Sequence, residues 1–437
     1  MAQAGEYDLE VSASDEDCET ESDAEENYEE ETTAAKARRG KDIQGIPWHS
    51  LNITRQERRE YKMKIYKSLR DVPQSEIGMN QLDKICKKSQ KGGNFYEFHY
   101  NTRSVQPTYS HVQLRDLVWA TSKNDVFFSS DYSVIHWFAL SRRGTDFLDA
   151  ASHIVASENH QDVAINGFRQ VEINTMAAKH DLVVVGGYGG ELICKYLGKK
   201  NVSYCSKITE NNFHADIDTD NDTSTNSIEI YQSPGGATRL LTSCNDCGVR
   251  VFDLGGGFSR IKHFTYPWAI NHACVSPDNK LFLVVGDNVE GFLSDCQTGK
   301  NVATLQGHLD FSSASAWHPN GRLFATGNQD TTCRLWDVRN TSTSLEVLKG
   351  NLSAIRCIKF PSDGQFMAMA EEVDFVHIYD TKHMYNKSQK IDFFGELTGM
   401  SFSPDTESLF IGVQEVSYGF LPEYNRRHEY FYLDSLI

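Results

Sequence analysis

The sequence contains no long hydrophobic run and no apolar segment near its N-terminus. A stretch of roughly 18 uncharged apolar residues is needed to cross a bilayer, and none occurs among the 437 residues. The N-terminus also lacks the basic stretch and the apolar stretch of a secretory signal. We therefore expect a protein that is not inserted in a membrane and is not secreted.

Cysteine is present but is not arranged as in a disulfide-rich protein. The ten cysteines are spread over a long chain without paired spacing, which favours reduced thiols inside the cell. Cys244 and Cys247 form a single CxxC. Because no second pair and no nearby histidine accompanies them, this is weak evidence for zinc. We interpret both as small thiols at a turn between two strands.

Motifs of common enzymes are also absent. We find no nucleophile elbow, no metalloprotease motif and no kinase motif. The glycine runs at 186–190 and 255–257 open no helix and are not followed by Lys-Ser or Lys-Thr, so phosphate binding is not supported. The sequence therefore predicts a protein that is not an enzyme and carries no cofactor.

A set of alternating aspartates resembles a calcium loop in spacing only. Asp218, Asp220 and Asp222 precede Glu229 at intervals close to those of an EF-hand. Thr223, however, stands where the sharp turn of that loop needs glycine, and the flanks are predicted strands. A polar loop is the favoured interpretation, and we expect no metal site.

Negative charge is concentrated at the N-terminus. The formal net charge is −17, and residues 1–31 hold fourteen acids with no Lys or Arg, which leaves −3 for the rest. Since such a block repels itself and cannot bury a core, we expect residues 1–44 to be a disordered arm. The arm is either a solvating tail or a modifiable interaction segment. Its candidate phosphosites, each with an acid three residues downstream as kinases of the casein-kinase-2 type accept, are Ser12, Ser14, Thr20 and Ser22.

A short basic stretch lies at the end of the arm, and a helical extension is predicted over residues 45–93. The segment 36–41 has four basic residues, as a nuclear-import signal would. Thr54 and Glu57 form a capping box, so a helix is predicted to start at Thr54. Three alternatives stay open for this helix: docking on the main domain through its Tyr/Ile/Leu stripe, association with the acidic arm, or binding to nucleic acid or chromatin. Its basic residues are Arg55, Arg58, Arg59, Lys62, Lys64, Lys67 and Arg70.

From about residue 112 onward a pattern of short apolar strands and polar turns repeats. The second strand of each copy is predicted to begin near Val126, Leu182, Leu240, Leu281, Leu323, Phe366 and Leu409. A period near forty with four strands per copy indicates a β-propeller, because radial packing buries both faces of each sheet. Seven copies predict seven blades over residues 94–421, followed by a tail at 422–437. The segment Asn94–Val105 is a candidate for the missing outer strand of the last copy, which would close the ring.

One copy resembles a known family. Leu305-Gln306-Gly307-His308 precedes it and Leu335-Trp336-Asp337 ends it, and this Gly-His and Trp-Asp pair resembles a WD40 repeat. The resemblance implies an all-β fold, a seven-bladed WD40 propeller with a disordered acidic arm and a short basic helix. It also implies a structural hydrogen-bonded network of His308, Asp330 and Trp336. A catalytic His–Asp dyad is the less favoured alternative.

The same repeat resembles the DWD box, through which WD40 proteins dock on the adaptor of cullin-4 ubiquitin ligases. The residues that match are Asp330, Trp336, Asp337 and Arg339. The segment from Gly45-Ile46-Pro47-Trp48 to Asp71-Val72-Pro73 resembles an uncharacterised WD40 group of plants and fungi, which implies a role in signalling.

Three functions follow from these patterns. The first is a non-catalytic, regulatory scaffold that binds proteins or peptides through rim loops and the central face. The second is a substrate receptor of a cullin-4 ubiquitin ligase, and the third is a nucleic-acid or chromatin binder, which the overall acidity disfavours. We expect a monomeric propeller in the nucleus, the cytoplasm or both, with no membrane partner.

Overall fold

The structure is a computed structural model that describes residues 31–69, 82–157, 167–208, 223–255 and 257–428. The four candidate phosphosites and the aspartates of the calcium-like spacing lie outside these residues, as does Arg70 of the basic helix.

Several short elements precede the repeats in the described part of the chain. They are β1 (Glu31–Thr33), α1 (Ala34–Arg38), α2 (Arg55–Leu69), β2 (Gln90–Lys91) and β3 (Tyr96–Thr102). The helix predicted to start at Thr54 is α2, and its capping box is present: the backbone N–H of Glu57 donates to Thr54 Oγ1 at 3.2 Å, and the N–H of Thr54 donates to Glu57 Oε2 at 2.8 Å.

Five four-stranded antiparallel sheets follow, and each is a blade that runs along the chain from its first strand to its fourth. Blade 1 is β4 (Val118–Ala120), β5 (Asp125–Ser130), β6 (Ser133–Phe138) and β7 (Arg143–Asp149). Blade 2 is β8 (Ile173–Lys179), β9 (Leu182–Gly187), β10 (Glu191–Tyr196) and β11 (Tyr204–Lys207). Blade 3 is β12 (Thr225–Gln232), β13 (Thr238–Cys244), β14 (Gly248–Asp253) and β15 (Ser259–Thr265). Blade 4 is β16 (Ile270–Val275), β17 (Leu281–Gly286), β18 (Gly291–Asp295) and β19 (Asn301–Leu305). Blade 5 is β20 (Ser312–Trp317), β21 (Leu323–Asn328), β22 (Thr332–Asp337) and β23 (Glu346–Lys349).

The last sheet joins two blades through one long strand. Its strands are β24 (Ile355–Lys359), β25 (Phe366–Glu371), β26 (Val373–Asp380), β27 (Lys387–Phe402), β28 (Ser408–Gln414) and β29 (Leu421–Arg426). The first part of β27 pairs with β26 and completes blade 6, whereas the second part pairs with β28 and begins blade 7. Strand β3 pairs with β29 as the fourth strand of blade 7, and β1 pairs with the other edge of β3. The predicted closure of the ring by the segment 94–105 is confirmed.

The first strands of the blades form a closed circle. Each contacts the first strand of the next blade, from β4 through β8, β12, β16, β20 and β24 to β27, and β27 contacts β4 again. This arrangement is a β-propeller and is consistent with the seven blades that the repeat spacing predicts. First and second strands are rich in Val, Ile, Leu and Ala and are mostly buried, while an outer strand such as β15 is largely exposed. Inner strands packed on both faces need this continuous apolar pattern.

Antiparallel pairing divides the turns of the propeller between two faces. We name as the lower face the end with the turns between the first and second, and between the third and fourth, strands of each blade. The upper face carries the turns between the second and third strands and the connections between blades. A Ser-Pro-Asp turn recurs on the lower face, where Ser276 Oγ donates to Asp278 Oδ1 at 2.7 Å and Ser403 Oγ to Asp405 Oδ1 at 2.5 Å.

Two predicted boundaries differ from the structure. Residues 31–44, which we expected to belong to a disordered arm, contain β1 and α1, because β1 finds a free strand edge on β3. Residues 422–426, which we expected in the tail, belong to β29, because blade 7 needs a third strand and β29 supplies it by pairing with β28. The second strands begin at or within two residues of the predicted positions.

Candidate functional site

The predicted WD40 network is assembled on the upper face of blade 5. His308 Nδ1 lies 3.0 Å from Asp330 Oδ2, and His308 Nε2 lies 2.9 Å from Thr326 Oγ1. The indole Nε1 of Trp336 donates to the same Thr326 hydroxyl at 3.0 Å. The three predicted residues are therefore linked, and Thr326 is the fourth member that joins the imidazole to the indole. Thr326 lies within the matched motif, but its role in the network could not be predicted, since threonine is common in strands.

This network is buried and fully engaged. Asp330 also accepts hydrogen bonds from the backbone N–H groups of Leu309 and Thr332 at 3.0 Å and 2.9 Å. Burial works to raise the pKa of Asp330, but the neighbouring His308 and the hydrogen bonds from Thr332 and Leu309 lower it to about 2. Both ring nitrogens of His308 have partners within the blade, so this pair has the geometry of a structural clamp rather than that of a general base, which must reach a substrate.

In other blades, different charged groups occupy the position equivalent to the His308–Asp330 pair. In blade 6 the buried carboxylate of Glu371 lies 2.7 Å from His377 Nε2 and accepts from three successive backbone N–H groups, those of residues 351–353. In blade 3 Arg250 donates to both carboxylate oxygens of Asp246. Degenerate repeats thus keep a buried polar clamp, because an unpartnered polar group there is costly.

The DWD-like residues are divided between the two faces. Asp330 and Trp336 are buried in the upper network, at 6% and 0% exposure, so they are not available for direct contact with an adaptor. Asp337 and Arg339 lie at the lower face, where Arg339 Nε and Nη2 donate to Asp337 Oδ1 and Oδ2 at 3.0 Å and 2.8 Å. Arg322, which the sequence did not single out, donates to the same carboxylate at 2.9 Å. The side chain of Arg339 is 63% exposed.

A cavity of about 480 Å³ opens on the lower face at the centre of the ring. First strands of blades 1 to 6 line it, with aromatic walls that include Trp119, Trp317 and Phe360. Lys359 Nζ lies 2.7 Å from Asp116 Oδ1 and 4.2 Å from the ring centre of Trp119. The cavity therefore combines aromatic surface with a charged pair, which suits recognition of a polar peptide side chain.

Titratable groups in this cavity are shifted by burial. Burial raises the pKa of Glu229 to about 7, against the opposing effect of a hydrogen bond from the Val275 N–H at 2.6 Å. Burial lowers the pKa of His272 to about 3, with help from Lys359. His272 is consequently neutral near pH 7, whereas Glu229 is about half protonated there.

Charged pairs also lie near the upper face, within blade 6 and between blades 7 and 1. Arg115 is 2% exposed, stacks on Tyr109 with its guanidinium 3.4 Å from the ring centre, and pairs with Glu396 at 3.3 Å. Arg356 pairs with Glu372 at 3.0 Å.

Helix α2 lies on the upper face over blades 6 and 7. Of the three alternatives for this helix, the structure has it docked on the main domain. The contacts come mainly from its arginines, which pair with acids of the propeller, while Tyr61 of the Tyr/Ile/Leu stripe is 61% exposed. Met63 and Tyr66 add a small apolar contact to Leu352, Val373 and Phe375. The basic side chains that a nucleic acid would need are largely turned toward the protein, so the geometry does not favour the third hypothesis.

The CxxC cysteines lie at a strand end and in a turn. Cys244 is buried at the end of β13, and burial raises its pKa to about 12; burial also raises the pKa of Cys247. Thiols with raised pKa are poor metal ligands and nucleophiles. In the described part of the chain, no group of three or more His, Cys, Asp or Glu side chains is placed to hold a metal ion. No helix there is long and apolar enough to span a membrane.

Comparison with known proteins agrees with this fold. The family "WD domain, G-beta repeat" matches residues 299–337. A target of rapamycin complex subunit of Schizosaccharomyces pombe is 32% identical over 119 residues, which are 26% of this chain and 37% of that protein. A guanine nucleotide-binding protein subunit beta of Solanum tuberosum is 27% identical over 31% of this chain and 39% of that protein. The chain thus spans well under half the length of these curated relatives.

A solved structure extends the likeness to most of the chain. The crystal structure of a mitotic checkpoint complex contains a chain that matches with a TM-score of 0.58 at 12% identity, covering 78% of this chain and 96% of that one. The closed ring of sheets defines the class as β-propeller. Within this propeller, residues 299–337 match a WD40 repeat, and the chain is similar to WD40-repeat proteins.

Proposed function

We propose that this protein is a regulatory scaffold that binds a peptide segment of another protein in the lower cavity. The observation that supports it is the cavity itself, which first strands of six blades line with aromatic and charged side chains. A ring closed by β3 and β29 holds these side chains in fixed positions, and such preorganisation lowers the entropic cost of binding. Nuclear or cytoplasmic residence and a signalling role belong to this proposal.

Affinity capture from a cell extract tests the scaffold. We expect Gln232→Arg, which places a long cation at the exposed end of β12 beside the cavity, to lose partners that the wild-type chain retains. The matched control is Thr304→Arg, on the exposed outer strand of blade 4. Equal recovery of the same partners by all three chains would contradict binding in the lower cavity.

A second candidate function is docking on the cullin-4 adaptor, and the exposure of Arg339 favours it. Asp337 is buried and holds the Arg339 guanidinium in a bidentate pair at the rim, leaving other N–H groups directed to solvent. A guanidinium fixed in this way is suited to contact an acidic or carbonyl-rich surface. Since Asp330 and Trp336 are buried, their contribution would be to hold the blade.

Arg339→Ala separates the two functions. We expect the adaptor to be captured by the wild-type chain and lost with the variant, while the unfolding temperature hardly changes, because an exposed ion pair contributes about 0–1 kcal/mol. Arg143→Ala, on the exposed strand β7, is the control. Recovery of the adaptor with Arg339→Ala, or its absence from the wild-type sample, would contradict the ligase function and leave the scaffold.

A further inference from the structure

One aromatic ring on the upper face is surrounded by cations of α2. The guanidinium carbons of Arg55, Arg58 and Arg59 lie 5.3, 5.1 and 4.1 Å from the ring centre of Phe394, and Lys62 Nζ lies at 5.6 Å. These four positions follow the i, i+3, i+4, i+7 spacing that places residues on one face of a helix. The basic face of α2 is therefore the face that contacts the propeller.

Acids of blades 6 and 7 balance this charge. Arg59 reaches deepest, with Nη1 2.5 Å from Asp374 Oδ2 and Nη2 2.7 Å from Asp392 Oδ1. Arg55 also pairs with Asp392 at 2.7 Å, and Arg58 with Glu415 at 3.6 Å. We name this surface the arginine cradle and define it by Asp374, Phe375, Asp392, Phe394 and Glu415.

The cradle is built where the sheet is irregular. Pairing of β26 with β27 jumps from Val373 to Phe375, and Asp374 between them has φ +70°. Irregular residues of this kind redirect a side chain and are common beside functional sites. Asp374 thereby reaches Arg59 with one oxygen and accepts the N–H of Gly395 at 2.8 Å with the other. Its side chain is fully buried.

Two parts of the N-terminal extension hold the cradle differently. Gln44 is buried and pairs with the backbone of Phe394, accepting its N–H at 2.6 Å and donating to its carbonyl at 2.7 Å. Helix α2, in contrast, has no residue classed as buried among those whose side chains are described, and its docking is largely charge-assisted. The Gln44 segment is thus a fixed part of the fold, whereas α2 is held by interactions that another basic helix can reproduce.

We propose that the arginine cradle is a docking site for an arginine-bearing helix of a partner protein, and that α2 occupies this site within the chain until such a helix displaces it. The proposal rests on the scaffold function and names its partner class. Displacement of α2 removes both Arg59 and Lys62, whose Nζ lies 3.6 Å from Asp374 Oδ1, from the buried Asp374. Because an unpaired buried carboxylate is costly, the displacing segment must itself carry a cation at the position of Arg59. An apolar helix would not compensate that carboxylate.

The test uses the full-length chain and a fluorescent peptide of residues 52–69. The wild-type chain should bind the peptide weakly, since α2 competes at high effective concentration. Arg59→Ala in the chain should strengthen binding about tenfold or more, because it frees the cradle. Lys64→Ala, on the exposed side of α2, is the matched control and should behave as wild type. A peptide carrying Arg59→Ala should not bind.

Two further measurements keep the test decisive. Asp374→Asn added to the Arg59→Ala chain should abolish peptide binding, and the wild-type peptide should raise the unfolding temperature of the Arg59→Ala chain but not that of the double variant. If Arg59→Ala does not fold, the paired variant Arg55→Ala/Lys62→Ala replaces it. The proposal is overturned if the peptide binds the Arg59→Ala chain, or the paired variant that replaces it, no more tightly than it binds the wild-type chain. Since the peptide is defined, this result is independent of whether cellular capture finds a partner.

Discussion

At the scale of single residues, Thr326 holds the network of blade 5 together. Its hydroxyl is within hydrogen-bonding distance of both His308 Nε2 and the Trp336 indole N–H. Thr326→Val keeps the shape but leaves the buried indole N–H without an acceptor, and we expect a loss of about 2 kcal/mol in the free energy of unfolding. Urea denaturation measures it. Thr304→Val, on an exposed strand, is the control, and equal stability of both variants would show that the network does not stabilise the blade.

Glu229 gives a second residue-scale prediction, on pH dependence. Burial raises its pKa in the folded protein to about 7, above the ordinary value of 4.5 in the unfolded chain. Between pH 4.5 and 7 the folded state keeps Glu229 protonated, whereas the unfolded chain does not. The contribution of this proton to the free energy of unfolding is therefore complete below pH 4.5 and is lost as pH rises through 7.

Comparing unfolding midpoints of wild type and Glu229→Gln isolates this contribution. The wild-type midpoint should fall relative to that of the variant between pH 5 and pH 8. Parallel pH profiles for the two proteins would contradict a raised pKa at Glu229.

The contacts of a residue could be predicted from sequence only where a motif fixed its neighbours. His308, Asp330 and Trp336 meet as expected because the WD40 spacing places all three in one blade. Arg322 belonged to no motif, and Glu229 was singled out only by a calcium-like spacing, since their partners lie across a turn or in another blade. Burial also reversed one expectation: the matched Asp330 and Trp336 cannot face an adaptor.

At the scale of elements, the N-terminal cap of α2 is open to a direct test. Thr54 and Glu57 satisfy each other's backbone N–H groups. Thr54→Ala removes one of these bonds and should cost about 1 kcal/mol of helix stability, so amide hydrogen exchange in the first turn of α2 should accelerate about fivefold. Thr54→Ser keeps the hydroxyl and should exchange as wild type. Unchanged exchange in Thr54→Ala would mean that docking on the cradle, and not the cap, holds the first turn.

Element positions were more predictable than their packing. The second strands follow the repeat, and the capping box located α2. The face by which α2 docks was not predictable, because the acids that receive its arginines are more than 300 residues away in sequence. The fusion of two blades through β27 was also not predictable. A short connection between blades resembles a turn in the sequence, but here the chain continues as one strand.

At the scale of the whole molecule, the ring depends on one pairing between the chain's two ends. Strands β3 and β29 pair from Tyr96 with Arg426 to Thr102 with Leu421, with one shift of register between Glu423 and Tyr424. Tyr96 adds a buried contact, since its hydroxyl donates to the Thr406 carbonyl at 2.8 Å and its ring packs against Phe402. Without this closure, β28 and β3 would each present an unpaired edge, which promotes aggregation.

Two truncations distinguish the loss of ring closure from the effect of shortening the chain. A chain ending at residue 420 lacks β29, and we expect it to lose the cooperative thermal transition of the propeller and to elute as aggregates in size-exclusion chromatography. A chain ending at residue 428 retains every described element and should melt and elute as wild type. Loss of β29 leaves β3 without its partner and reduces blade 7 to β27 and β28, so the contacts of β27 with blades 1 and 6 lose the sheet that supports them. A cooperative transition near the wild-type temperature in the shorter chain would show that the six remaining blades are stable as an open arc.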